Sequence, residues 1–349
     1  MIYLDNAATM KPLPCAIRAF NRVIKRHYGN PHSVHGFGMD AHKILEQSRE
    51  TIARCVGCKP GEVYFTSGAT EACNWALEIL KNHCTLFLTD GTEHAAIAQK
   101  IEHLNRTEPH KKKSHGYAHI VTLVNNETGK LARLPEREHK DDLIFADATA
   151  AIGNCVRVAF DTIGIDYMAF GAHKFGGIPG IGCLIVKHGA PIEPLIYGGG
   201  EEKRAGTPCV ALVAAMAAAL DYKTATASKR AKKLEKCRAA LIHGLDGVEK
   251  TEISRDFLQA GNILSITFRG VPNTALVAMM SERFGTMISA GAACNGGSPS
   301  SLVLMAQGYS EQDAENTIRI SLTEQNTVRE CRKAAKQLKF CVEQIRKII

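Results

Sequence analysis

The stretch AHKFGGIPGIG at residues 172–182 places a histidine and a lysine directly before two glycines. It follows the apolar run DYMAFG (166–171) and leads into GCLIV (182–186), so Lys174 lies in a tight turn between two predicted strands. A lysine in such a turn is usually a solvated surface charge. It can instead be an amine whose pKa is lowered by burial, so that it attacks carbonyl groups. The rest of the sequence is needed to choose between these interpretations.

Short apolar runs alternate with helical patterns through the first part of the chain. GEVYFTSG (61–68) is typical of a strand that ends in a turn, and ATEACNWALEIL (69–80) is typical of the helix after it. The runs CTLFLTD, HIVTLVNNE, DLIFADA, DYMAFG and GCLIV have the composition of buried parallel strands. This alternation predicts an α/β fold with a mostly parallel sheet.

The pattern changes from about residue 208. A long alanine-rich helical stretch comes first, followed by the strand-like NILSITF (262–268), the helical NTALVAMMSERF (273–284) and a closing helix from about Thr327. This order predicts a second, α+β domain, which the long helix joins to the first.

Length and composition fit a soluble two-domain protein. A chain of 349 residues is long enough for a large domain over 13–225 and a small C-terminal domain over 226–349, with residues 1–12 packing near the small one. Apolar residues make up 45% of the chain and charged residues 22%, and no apolar run approaches the ~20 residues of a membrane span. Twelve cysteines without framework spacing and an N-terminus unlike a signal peptide predict free thiols in the cytoplasm.

The net charge of +8 leaves the partner class open. The basic runs HKKK (110–113) and KRAKKLEK (229–236) are typical of a solvated loop and an exposed helix face. Neither run is interleaved with aromatic residues or glycines, so no direct nucleic-acid binding is predicted, although an acidic protein or a tRNA stays possible as a partner. The C-x-x-C spacing of CVGC (55–58) has no second pair nearby, so we interpret it as packing and predict no metal site.

Polar residues stand at several predicted strand ends. In FTSGATEA (65–72) the N–H groups at the helix start and the Thr70 hydroxyl form an anion site, although such turns also cap helices for purely structural reasons. Asp147 ends a very apolar strand, as a cap or as the counter-ion of a buried cation. His94 follows a third strand, as a helix cap or as a site residue. Ligands of open α/β sheets bind at such strand ends.

One cofactor would use all of these groups. Pyridoxal 5'-phosphate carries a phosphate for the helix start, a cationic ring nitrogen for Asp147 and an aldehyde for the amine of Lys174. The strand ends therefore favour the reactive interpretation of Lys174.

Ten short motifs in a fixed order extend over nearly the whole chain. They are LDNAAT (4–9), GNPHSVHGFG (29–38), FTSGATEA (65–72), TEHAAI (92–97), VNNETG (124–129), DATAAIG (147–153), AHKFGGIPGIG (172–182), GGG with RAGTP (198–208), SAGAAC (289–294) and IRISL (318–322). With them the chain resembles the cysteine desulfurases of the class V aminotransferase family. The resemblance implies an aspartate-aminotransferase-like large domain, a smaller C-terminal domain, pyridoxal phosphate as cofactor and a homodimer.

The resemblance also implies roles for cofactor-binding residues. Lys174 would hold the cofactor as a Schiff base, His94 would stack on the ring and move protons, and Asp147 would keep the ring nitrogen protonated. Thr207 would reach the phosphate of the neighbouring subunit's cofactor. The remaining cofactor-binding residues would be Gly68, Ala69, Thr70, Asn126 and His173.

For the substrate, the resemblance implies L-cysteine. Arg319 would clamp its carboxylate with help from Asn126, as suits a planar guanidinium. Cys294, in the Gly-, Ala- and Ser-rich SAGAACNGGSPSS, would take the sulfur as a persulfide, leaving L-alanine. The sulfur acceptor would be an iron–sulfur scaffold or a tRNA-thiolation enzyme.

The chain also departs from the family. Ala150 stands where a glutamine usually binds the cofactor's phenolic oxygen, and Gly171 stands where a serine usually binds the phosphate. The segment between Gly200 and Arg204 is shorter than is usual in the family. Between TEHAAI and VNNETG, in the 98–121 region, the residues that would form a further strand and helix are missing. A selenocysteine lyase, another aminotransferase, or a low-activity or non-catalytic scaffold therefore stay open as alternatives.

Overall fold

The computed structural model describes residues 1–107, 116–154, 158–201, 203–254, 259–291 and 301–348. Its helices are α1 (Pro14–Arg26), α2 (Gly36–Val56), α3 (Ala69–His83), α4 (Ala95–Thr107), α5 (Val210–Ala225), α6 (Ala227–Gly244), α7 (Asn273–Phe284), α8 (Leu302–Ala306), α9 (Glu311–Glu315) and α10 (Val328–Ile348). Its strands are β1 (Ile2–Tyr3), β2 (Val63–Thr66), β3 (Phe87–Leu88), β4 (Ala118–Thr122), β5 (Leu143–Asp147), β6 (Tyr167–Gly171), β7 (Gly182–Val186), β8 (Ile196–Gly200), β9 (Arg204–Gly206), β10 (Thr251–Ile253), β11 (Ile263–Phe268), β12 (Thr286–Met287) and β13 (Thr317–Ser321).

A six-stranded sheet in the order β2-β7-β6-β5-β4-β3 forms the centre of the larger part. Strands β3 to β6 pair in parallel, which confirms the predicted α/β fold with a mostly parallel sheet. The prediction of a parallel strand is wrong for β7, which runs antiparallel to both of its neighbours. The physical reason is the short connection over 172–181, because a parallel crossover needs about a dozen residues or more.

Helices cover both faces of this sheet. Helices α1, α2 and α5 pack against one another over one face, and α3 and α4 pack on the other, where Trp75 and Tyr167 are fully buried. In the 98–121 region, the described residues form the rest of α4 and most of β4, which pairs with β3. The carboxyl ends of the strands face the C-terminal part of the chain, where Arg319 contacts the turn after β4.

The C-terminal part is built on the antiparallel sheet β10-β11-β13. Helices α6, α7 and α10 pack together beside it, and its apolar core also takes in Ile2 and Leu4 from the N-terminus. Strand β1 pairs with β12. The boundaries of the two domains, 13–225 and 226–349, stay a prediction.

The helical stretch that begins at α5 is broken. We expected one long helix, and this is wrong, because α5 and α6 meet at Thr226 with a bend of 74°. The Thr224 and Thr226 hydroxyls donate to the carbonyls of Leu220 and Tyr222, and such back-bonding bends helices. Within the described ranges no single helix is long and apolar enough to span a membrane. The bent pair α5–α6 meets these two requirements, by length and composition only.

Candidate active site

The carboxyl ends of the parallel strands open into one pocket. Thr122 at the end of β4 stands in register with Asp147 at the end of β5, and α3 begins directly beyond β2. The pocket is lined by Ala69, Thr70, Cys73, His94, Ala96, Thr122, Val124, Asn126, Asp147, Thr149, Ala150 and Lys174. Six of the residues predicted from the sequence therefore line one cavity.

Lys174 lies in the short 3-10 turn between β6 and β7. Its side chain is half-buried, lines the pocket and donates from Nζ to the carbonyl of Ala7 at 2.8 Å. The turn ends at Gly176 with φ +87°, and a Cβ there would stand 2.7 Å from Cγ of Leu13. Position 176 therefore requires a glycine. Because its side chain lines the pocket and is bonded to Ala7, Lys174 is not a solvated surface lysine.

Asp147 is 6% exposed, and its Oδ1 accepts the N–H of Thr149 at 2.9 Å. The carboxylate thus caps the turn that follows β5 and at the same time lines the pocket. Asp147 therefore both caps this turn and lines the pocket, and its role as a counter-ion stays a prediction.

His94 combines the same two roles. Its Nδ1 accepts the N–H of Ala96 at 3.1 Å at the start of α4, so a neutral ring carries its proton on Nε2. Burial lowers the pKa of His94, and Lys174 lowers it further, while Asp147 opposes the shift. Near neutral pH the side chain is therefore an uncharged imidazole that can donate from Nε2.

The start of α3 offers backbone N–H groups to an anion. Gly68 is the N-cap and brings no side-chain cap, and Thr70 lines the pocket. An ideal Cβ on Gly171 would lie 3.3 Å from the backbone nitrogen of Ala69, so any side chain at this position would lie against the helix start.

Three predicted residues lie outside the pocket lining. His173 precedes Lys174, and burial, aided by Lys174, lowers its pKa to about 4. Thr207 is exposed and Gly68 stands one residue before the lining. The structure brings none of these three into direct contact with the cavity.

Arg319 also lies beside the pocket rather than in it. It is 4% exposed on β13, which excludes the interpretation as a surface arginine. Its guanidinium donates from Nη2 to Oδ1 of Asp5 at 2.8 Å and from Nη1 to the carbonyl of Asn126 at 3.0 Å. Its buried Nε has no hydrogen-bond partner among the residues that the structure describes. Asp5 belongs to the motif LDNAAT (4–9), but its contact with Arg319, 314 residues away, was not predicted from the sequence.

Cys294 lies outside the described residues, but both flanks of its segment lie beside Glu127. Ser301 donates to Oε2 of Glu127 at 2.5 Å, and a Cβ on Gly291 would stand 3.3 Å from the same oxygen. Burial raises the pKa of Glu127, while Ser301 and Arg319 oppose the shift. Sequence reasoning missed Glu127, although it stands next to the predicted Asn126.

Sequence reasoning also missed Cys73, Thr122 and Thr149 in the lining. Cys73 is 2% exposed and burial raises the pKa of its thiol, which is therefore neutral. The Oγ1 atoms of Thr122 and Thr149 are buried and have no hydrogen-bond partner among the residues whose structure is described. Within the described segments, no group of three or more His, Cys, Asp or Glu side chains could hold a metal ion.

These residues fit pyridoxal phosphate. The lining contains an amine, a buried carboxylate, a helix start for the phosphate and two hydroxyls with unused hydrogen-bonding capacity. A polar ring with several substituents matches such a donor set better than an apolar ligand does.

Comparisons with known proteins show the family of the chain. The sequence profile of the family "Aminotransferase class-V" matches residues 2–111 and 112–333. The "IscS-like cysteine desulfurase" of Mycobacterium tuberculosis is 31% identical over 92% of this chain and 91% of its own length. "Cysteine desulfurase IscS" of Dictyoglomus turgidum is 29% identical over 99% of this chain and 96% of its own.

A solved structure gives the same result for the fold. A structure titled "NIFS-LIKE PROTEIN" is similar over 100% of both chains, with a TM-score of 0.88 and 27% identity. Enzymes of this family depend on pyridoxal phosphate. From the profile match, the relatives and the shared fold, it follows that the chain belongs to the class V aminotransferase family.

Proposed function

We propose that the protein is a pyridoxal-phosphate-dependent cysteine desulfurase. It converts L-cysteine to L-alanine and keeps the sulfur as a persulfide on Cys294. The observation that carries the proposal is the meeting of Lys174, Asp147 and His94 in one pocket, in a chain whose relatives bear the name cysteine desulfurase.

The pocket offers residues that would hold the cofactor. Lys174 would carry it covalently, Asp147 would pair with the ring nitrogen, and the start of α3 from Gly68 to Thr70 would bind the phosphate, with His173 next to Lys174 in the chain. When bound, the cofactor would supply an electron sink for the reaction at the substrate's α-carbon. Neutral His94, which lines the same pocket, would transfer protons through Nε2.

Arg319 and Asn126 bind the substrate carboxylate. Asp5 and the Asn126 carbonyl fix the guanidinium through its two terminal nitrogens, and the buried Nε remains for a ligand. A guanidinium fixed in this way loses little entropy when it binds a carboxylate, which favours a substrate that carries a carboxylate.

Sulfur transfer balances without an added oxidant. The carbon–sulfur bond of cysteine breaks, a sulfur–sulfur bond forms to the Cys294 thiolate, and Cβ of the product gains a proton. The sulfur is oxidised by the amount that the carbon is reduced. Gly291 and Ser301, on the two sides of the segment that contains Cys294, both lie beside Glu127, which supports the assignment.

We also propose a cytoplasmic homodimer with a 13–225 large domain and a 226–349 small domain. Every residue of β8 is exposed, including the apolar Ile196 and Tyr197, and a second copy would cover this surface. Thr207 is also exposed, as a residue that reaches the partner's cofactor phosphate needs to be. The persulfide then passes to an acceptor protein, either an iron–sulfur scaffold or a tRNA-thiolation enzyme.

The test starts with the purified protein. We expect an absorbance band at about 400–430 nm from the lysine-bound cofactor, and its loss in Lys174→Ala. Addition of L-cysteine with a reductant should give alanine and sulfide in equal amounts without a keto acid. A keto-acid requirement would favour an aminotransferase, and a much faster reaction with selenocysteine would favour a lyase. A protein without the band would be a scaffold, and the proposal would fail.

A further inference from the structure

The pocket contains two hydroxyl groups that no described residue satisfies. Oγ1 of Thr122 and Oγ1 of Thr149 are both buried from solvent and have no hydrogen-bond partner. Both residues line the cavity that contains Lys174 and Asp147. Most buried hydroxyls in proteins are hydrogen-bonded, and leaving one unpaired costs about 1–3 kcal/mol. Two such groups in one cavity indicate a ligand with polar atoms.

The local structure directs both threonines to the same place. Thr122 is the last residue of β4 and stands in parallel register with Asp147, so the two side chains leave the sheet on the same face. Thr149 is two residues after Asp147, and its N–H is fixed by the Asp147 carboxylate at 2.9 Å. The register thus places Thr122 beside Asp147, and Thr149 follows Asp147 by two residues in the same lining.

The neighbouring positions supply no alternative donor. Ala150 follows Thr149 in the lining and presents only a methyl group, and Val124 follows Thr122 two residues on. Cys73, which also lines the cavity, is a buried neutral thiol and therefore a weak donor. The lining also contains the uncharged donors Thr70, His94 and Asn126, but among its described residues only Thr122 and Thr149 have a buried hydroxyl without a hydrogen-bond partner.

We propose that the hydroxyls of Thr122 and Thr149 donate hydrogen bonds to the oxygen atoms of bound pyridoxal phosphate. They increase the affinity of the protein for the cofactor. This inference rests on the proposed placement of the cofactor beside Lys174. Threonine is suited to this position because its branched side chain has few rotamers, so the hydroxyl is positioned before the cofactor binds.

The test replaces each hydroxyl with a methyl group. In Thr122→Val and Thr149→Val the shape is kept, and the Kd for pyridoxal phosphate, measured by titrating the cofactor-free protein, should rise about 5- to 10-fold each, which corresponds to ~1–1.4 kcal/mol. Thr122→Ser and Thr149→Ser should restore the Kd to near the wild-type value. Thermal unfolding of the cofactor-free Val variants should be unchanged or shifted upward, because the lost hydroxyls had no partner.

Thr267→Val is the matched control. Its hydroxyl is also buried but is paired with Thr317 at 2.7 Å. We expect this variant to unfold at a lower temperature without cofactor and to bind pyridoxal phosphate with the wild-type Kd. If the Thr122 and Thr149 variants behave in the same way, their hydroxyls have a structural role and the inference is wrong.

Two outcomes separate this inference from the proposed function. Borohydride reduction followed by peptide mapping shows which lysine holds the cofactor. A pyridoxyl group on a lysine other than Lys174 would refute the proposed placement, and the inference with it. A pyridoxyl group on Lys174 together with unchanged Kd values in both Val variants would refute the inference alone and assign the hydroxyls to bound water.

Discussion

Substitution of Arg319 by alanine tests the substrate site most directly. Arg319 is buried and positioned by Asp5 and the Asn126 carbonyl, so its removal takes away a positive charge without opening the cofactor pocket. A hydrogen bond from a guanidinium to a carboxylate contributes about 1.5–3 kcal/mol, which corresponds to a ~10- to 150-fold rise in the KM for cysteine. The absorbance of the lysine-bound cofactor should stay unchanged, because neither partner of Arg319 is Lys174 or Asp147.

The substitution also removes two structural hydrogen bonds, and this effect needs a control. Arg238 is half-buried and donates to the carbonyl of Ile263 at 2.9 Å and to Oε1 of Gln259 at 2.6 Å, so Arg238→Ala loses the same kinds of contact among residues that do not line the pocket. We expect both variants to lose about 1–3 kcal/mol of unfolding free energy, measured with urea. Only Arg319→Ala should raise the KM. Equal KM values in the two variants would refute the assignment of Arg319.

Three further predictions concern other parts of the site. Cys294→Ser should keep the cofactor band and release almost no sulfide, whereas Cys209→Ser, which changes an exposed thiol, should keep full activity. Mass spectrometry of the wild type should find the added sulfur on the Cys294 peptide. A persulfide found only at Cys209 would contradict the proposal. Gly171→Ser should lower the Kd for pyridoxal phosphate several-fold by adding a donor beside the start of α3, whereas Gly171→Ala should give no gain; equal effects would show that the phosphate binds elsewhere. Burial lowers the pKa of His173 from 6.5 to about 4, so between these pH values the unfolded chain binds a proton at His173 that the folded chain does not. The contribution of neutral His173 to the free energy of unfolding is therefore present above pH 6.5 and is lost as the pH falls towards 4. Urea unfolding at pH 7 and pH 5 should show a smaller loss in His173→Asn than in the wild type.

The strand ends could be predicted from the sequence because local chemistry determines them. An apolar run that ends at an aspartate, or at a serine and a glycine before a helix, is typical of a strand end in an α/β sheet. The structure places Asp147 and Thr70, which follow two such runs, in the same pocket. The direction of β7 could not be inferred from its composition, because buried parallel and antiparallel strands have the same apolar residues. Only the length of the connection over 172–181 carried that information.

The break between α5 and α6 shows a second limit. An alanine-rich pattern predicts helix on both sides of Thr226, and no glycine or proline marks the boundary. The bend comes with hydroxyl bonds from Thr224 and Thr226 to the preceding turn. Threonines in a helix interior have this effect only in some settings, so the sequence alone does not predict it.

The hydroxyls of Thr122 and Thr149 were missed for a different reason. A threonine near the end of a strand is an ordinary β-former, and its sequence context does not show whether its hydroxyl is paired. Whether a hydroxyl is paired depends on all residues around it in space, including lining residues of α3 that are distant from both threonines in the chain. The same holds for Asp5, whose contact with Arg319 joins the two ends of the sequence.

The turn after β4 connects the parts of the site that are far apart in sequence. The Asn125 side chain accepts the N–H of Glu127 at 3.0 Å and so fixes the turn. Within it, the Asn126 side chain lines the cofactor pocket while its carbonyl binds Arg319. Glu127 binds Ser301, the first described residue after the segment that contains Cys294. One rigid turn thus contacts the proposed cofactor site, the proposed substrate clamp and the end of the sulfur-carrying segment. Proximity of these three parts is what a reaction requires when a thiolate must attack a substrate that is already bound.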